Sequence, residues 1–136
     1  MASIRKADYY SMKVPNRAGA GAKLLEALKA ANVDLLAFTG FPAGGGAQVD
    51  FIPKKRAAFL SAARKAGLRI SARKTVFLVQ GADRVGALTG ILGKLAKAHI
   101  GLTALDAVTA GSGRFGAIFW VKKKDVGRAA RLIGAR

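Results

Sequence analysis

The chain has 136 residues, 51% of them hydrophobic, no cysteine, and 24 Lys and Arg against 7 Asp and Glu, a formal charge of +17. That length can bury a core as one body or two joined lobes. The lack of Cys excludes disulfides and thiolate metal sites and suits a reducing cytoplasm. No apolar stretch has the length of a signal peptide or a membrane span, and the charge predicts attraction to polyanions while saying nothing about fold.

The first predicted element is a strand over residues 9–14, rich in aromatic and β-branched side chains. A turn follows at Pro15-Asn16-Arg17-Ala18-Gly19, then a helix with Leu24, Leu25, Leu28 and Ala31 in a 3.6-residue stripe. A strand over 33–40, a glycine turn at 44–46 and a strand over 48–52 read as a hairpin, and a second helix is expected over 54–66. Residues 68–74 offer a further strand, running into one over 75–80. The order then repeats: a turn over 81–86, a helix carrying Leu88, Ile91, Leu92 and Leu95, strands over 100–109 and 115–121 joined at 111–113, and a helix over 124–133. Asn16 and Asp83 stand where helix N-caps are wanted.

The repetition extends to the letters. Slid 67 positions along itself, the chain matches at eleven residues between 16 and 46, among them Arg17/Arg84, Gly19/Gly86, Leu25/Leu92, Leu28/Leu95 and Leu35/Leu102. Two copies of one β-α-β-β-α unit therefore account for nearly the whole protein, with expected domains 1–73 and 74–136. The second copy has no residues left for a closing strand. Residues 3–7 are accordingly predicted to complete the second sheet while 68–73 complete the first.

These residues resemble ACT domains. Asp83-Arg84-Val85-Gly86-Ala87-Leu88 is similar to the family's strand–helix junction, Asp-x-Pro-Gly-x-Leu, and Ala98-His99-Ile100 and Ala31-Asn32-Val33 fit its later Asn-Ile position. The first junction, Asn16-Arg17-Ala18-Gly19, is the weaker match. The resemblance implies an α+β, ferredoxin-like βαββαβ fold in two tandem repeats, with antiparallel sheets and helices on one face. It further implies a non-catalytic regulator binding an amino-acid-like ligand at interfaces between ACT-like units. The expected ligand positions are Asn16, Arg17, Ala18, Gly19, Asn32, Asp83, Arg84, Val85, Gly86 and His99. Independently of family, amides at a helix N-terminus suit a carboxylate, an oxygen of Asn16 or Asp83 suits an ammonium, and glycine permits close approach.

Catalysis finds no support: one histidine, no cysteine and seven scattered acids supply no nucleophile–base or paired-carboxylate constellation. No metal or cofactor is expected. The G-x-G-x-x-G at 111–116 falls in a hairpin without the following helix that a pyrophosphate needs. The competing class is a basic module of the same fold that contacts nucleic acid or an acidic protein through its second helices and their flanks. Its residues would be Lys54, Lys55, Arg56, Arg64, Lys122, Lys123, Lys124, Arg128 and Arg131. Association into a homodimer through sheet edges is left open by the sequence.

Overall fold

In a computed structural model that describes residues 2–136, the elements run β1 (Ser3–Val14), α1 (Ala20–Ala30), β2 (Leu35–Ala43), β3 (Gly46–Pro53), α2 (Arg56–Lys65), β4 (Lys74–Ala82), α3 (Thr89–Lys97), β5 (Leu102–Gly111), β6 (Arg114–Val121) and α4 (Val126–Ile133). A short 3-10 turn, Lys123–Asp125, leads into α4. Among the described residues no helix is long and apolar enough to cross a membrane.

The chain divides into two compact units: Asp8–Lys74, and Thr75–Arg136 together with the residues up to Ala7. Met1, the first residue of the expected domain 1–73, lies outside the described residues. The N-terminal strand is exchanged. In the unit that holds Thr75–Arg136 the strand order is β1-β4-β6-β5, and the start of β1 is also tied to the C-terminus. There Lys6 N–H donates to the Arg136 carbonyl at 3.0 Å and Arg136 N–H to the Ile4 carbonyl at 3.2 Å. Ala2 and Ile4 pack on that unit's core.

In the Asp8–Lys74 unit the order is β2-β3-β1, with β3 antiparallel to both neighbours. Residues 68–73 lie beside β1 but form no strand. Ser71 N–H donates to the Ser11 carbonyl at 2.8 Å, and the Ser11 N–H turns to Ser71 Oγ at 2.9 Å, where a ladder would have used a carbonyl. The side chain thus ends the pairing after one backbone bond. Leu68 and Ile70 still reach the core.

Each unit buries one face of its sheet under two helices. Phe77 and Phe119 face each other across β4 and β6 with rings stacked 5.0 Å apart, both fully buried, under Leu95 of α3 and Ala129, Ala130 and Ile133 of α4. In the other unit Tyr10 and Phe51 face each other across β1 and β3, with Phe59 of α2 at 5.3 and 5.2 Å from the two rings. Burying each of these aromatic rings contributes about 1.5–3 kcal/mol.

The second face of β4 and β6 is also buried, at Val76, Leu78, Ile118 and Trp120, as the two-sided apolar pattern of residues 115–121 requires. On β3 that face carries Asp50, the one buried charged residue among those described. Its carboxylate accepts hydrogen bonds from Gln48 Nε2 at 3.0 Å and Thr39 Oγ1 at 3.4 Å.

Candidate functional site

The two strand–helix junctions are built differently from their sequence reading. Neither Asn16 nor Asp83 caps a helix. α1 starts only at Ala20, behind Gly19 at φ +87°, and α3 starts only at Thr89, and neither first turn receives a side-chain cap. The chain needs the intervening residues to climb from the sheet onto the helix layer, so the caps expected by spacing fall short of the helices. At the second junction Gly86 sits at φ +71°, and Thr89 closes the turn by donating from both its N–H, at 3.0 Å, and its Oγ1, at 2.7 Å, to the Gly86 carbonyl. Asp83 N–H donates to the Gly113 carbonyl at 2.8 Å, which ties this junction to the β5–β6 hairpin.

Between that junction, the flank of α3 and strand β5 lies a groove of about 730 Å³. Asp83, Gly86 and Thr89 form its polar end, and Leu88, Leu92 and Ala96 along α3 form one wall. Ala107 and Val108 of β5, with Phe115 behind them, form the other. β5 ends the strand order of its unit and is exposed along almost its whole length, with Val108 69% accessible. Among the described residues the amides of Val85, Gly86 and Leu88 donate to no backbone carbonyl, and the Asp83 carboxylate has no ion-pair partner. The groove therefore offers a negative group and a positive helix end beside an apolar wall, within the volume range of small-molecule sites.

The remaining expected positions are dispersed. Arg84 and Val85 are exposed beside the groove without lining it. Asn16, Arg17, Ala18 and Gly19 are all exposed at the other junction, where Arg17 N–H donates to the Pro15 carbonyl at 3.0 Å. Asn32 lines a smaller cleft of about 460 Å³ with Leu25, Lys29 and Asp34. His99 lies past the far end of α3, about 15 Å of helix from the junction.

Asn32 and His99 share a conformation, at φ +57° and +58°. The amide after each reaches back to Leu28 or Leu95 at 2.9 Å, and the amide of each to Lys29 or Ala96 at 3.0 Å. This is the double hydrogen bond of a Schellman C-cap, so both residues occupy the left-handed position that glycine usually fills.

The sequence reading missed Thr89, Leu92, Val108 and Phe115 as groove residues. A signal existed: no Lys or Arg occurs between Lys97 and Arg114 of this very basic chain. Near the other unit's core, burial pushes the Tyr9 and Tyr10 phenols above their ordinary pKa. The Asp50 carboxylate adds to the rise at Tyr9, and Asp8 adds at Tyr10, against lowering by Arg56 and Arg73. The cations of the nucleic-acid alternative are all exposed, at the start of α2 and α4 or along their outer sides.

This arrangement defines an ACT-like fold, and solved structures share it. Protein BT0572 from Bacteroides thetaiotaomicron superposes with a TM-score of 0.76 at 15% identity, covering 98% of this chain and 88% of that one. The regulatory subunit of aspartate kinase from Thermus thermophilus, in its ligand-free form, follows at 0.63 and 14% identity, covering 98% and 94%. The corresponding subunit from Thermus flavus gives 0.58 and 15%, with 98% and 94% covered. No family model and no curated protein matches the sequence.

Proposed function

We propose that the protein is a non-catalytic regulator that binds a small amino acid with an apolar side chain in the groove between the Asp83–Thr89 junction and β5. The observation carrying this reading is the groove's polarity: a carboxylate and open amides at one end, aliphatic and aromatic walls along the rest. The ligand ammonium pairs with Asp83, and its carboxylate takes the amides around Gly86 with the Arg84 guanidinium alongside. Its side chain lies against Leu88, Leu92 and Val108. Likeness of fold to regulatory subunits of aspartate kinase supports a regulatory role without naming the ligand. A second copy pairing along the exposed edge of β5 would roof the groove, so ligand and dimer favour each other. Asn16–Gly19, Asn32 and His99 stand outside this site.

A thermal-shift panel of the twenty amino acids tests the reading. A ligand at a hundredfold excess over its Kd adds about 2.7 kcal/mol of stability. Leucine-like or aromatic amino acids should raise the melting temperature of the wild type, and Asp83→Ala and Val108→Lys should abolish the rise. A panel in which none of the twenty moves the wild type ends the proposal.

A further inference from the structure

The groove leaves the protein's largest chemical anomaly unused: its positive charge, which is sorted by structure. No Lys or Arg occurs between Lys29 and Lys54, a span that contains β2 and β3, nor between Lys97 and Arg114, which contains β5. Those two spans instead hold Asp34, Asp50 and Asp106, three of the seven acids. The cations gather on the helices and their ends. Each β-strand that leads into a second helix runs into three consecutive cations, Lys54-Lys55-Arg56 at the start of α2 and Lys122-Lys123-Lys124 before α4. All six are exposed.

Helix stability does not explain that placement. The dipole favours acids at a helix N-terminus and disfavours cations there. Yet none of α1, α2, α3 and α4 has an acid in its first turn. Pairing does not explain it either. Of the six, Lys54 approaches Asp34 at 3.8 Å and Arg56 approaches Asp8 at 3.4 Å, both in solvent, where such pairs contribute little. Asp125, beside the second triplet, pairs with Arg128 at 3.6 Å. The second helices add Arg64 and Lys65, and Arg128 and Arg131, while α3 adds Lys94 and Lys97, all exposed.

We infer that these basic helix surfaces bind the phosphodiester backbone of double-stranded nucleic acid, independently of its sequence. Backbone contact is the chemistry available because the four helices expose no aromatic ring. Their one aromatic residue, Phe59, is fully buried. A single strand would need such rings for base stacking. Phosphates along a duplex need only exposed cations, and the helices of each unit supply them.

Binding of the full chain to a random-sequence duplex as salt is varied tests the inference. With about six phosphate contacts, affinity should fall about a thousandfold between 50 and 200 mM salt. One variant changes Lys54, Lys55, Arg56, Lys122, Lys123 and Lys124 to Gln, and a control changes Arg5, Lys6, Lys13, Arg17, Arg69 and Arg114 to Gln, so that both lose the same charge. The first should flatten the log–log salt slope by up to about five, and the triple variant Lys122→Gln, Lys123→Gln, Lys124→Gln by about half as much. The control should stay close to the wild-type slope. The helix variants should melt no lower than wild type, which separates lost binding from lost folding. Absence of duplex binding at 50 mM salt overturns the inference. So does equal flattening in the control, tighter binding to a single strand, or equal competition by polyglutamate.

Discussion

Replacing Gly86 by Ala separates two costs that the structure assigns to one residue. Its φ of +71° places any Cβ in the left-handed region, which costs an L residue about 1–2 kcal/mol. Alanine recovers part of that by restricting the unfolded chain, leaving a net cost of about 1 kcal/mol. The new methyl would also stand 2.9 Å from Thr89 Oγ1, inside van der Waals contact. That hydroxyl must rotate away, losing its 2.7 Å bond to the Gly86 carbonyl, worth about 0.5–1.5 kcal/mol. Gly19→Ala provides the comparison: φ is +87°, but nothing lies within 4 Å of the added methyl. The expected totals are about 2 kcal/mol for Gly86→Ala and about 1 for Gly19→Ala, or a gap of about 3–5 °C in Tm for a chain of this length. Urea unfolding of both variants, with and without Thr89→Ala, measures the terms. Thr89→Ala should remove the excess at Gly86 and leave Gly19→Ala unaffected. Equal costs at the two glycines, or an excess that survives Thr89→Ala, would refute the assignment.

Two further substitutions probe the remaining outliers. His99→Gly should stabilise the protein by about 0.5–1 kcal/mol and Asn32→Gly by less, because asparagine tolerates the left-handed conformation better than histidine. A loss of stability at His99 in chemical denaturation would show that its imidazole makes a contact worth keeping. Tyr10 is 3% exposed and its pKa is raised, so the folded state holds the phenolic proton more tightly than the unfolded chain does. The stability this contributes is complete below pH 10 and is lost as pH climbs from 10 through the raised value. Tyr10→Phe should therefore differ from wild type by a constant Tm offset up to about pH 9 and gain on it above pH 10. An offset that stays constant throughout would contradict the shift.

The element order was legible because each strand and helix carries its own pattern. The stripe Leu24, Leu28 and the run Thr75–Gln80 need no distant partner to be recognised, and both lie where their periods place them. The strand exchange was legible from the repeat, since Ile4–Ala7 stand before the first unit as Ile70–Arg73 stand before the second. Element boundaries were less so. Asn16 and Asp83 have the chemistry of caps, but a cap works only within one turn of its helix, and the start of each helix was decided by how far the chain must rise from the sheet.

The candidate site divides along the same line. Asp83 and Gly86 are neighbours in sequence, so a local motif exposes them. Val108 and Phe115 are apolar residues on strands, and nothing local distinguishes a core position from a groove wall. Only the sheet order, which makes β5 an outer strand, turns Val108 from core into surface. Sequence alone determined the element order, the hydrophobic faces and the segregation of charge, because those depend on spacing along the chain. Tertiary structure decided which strand became an edge, which carboxylate lay open beside α3 and where the groove formed, because those depend on contacts between residues far apart in the chain.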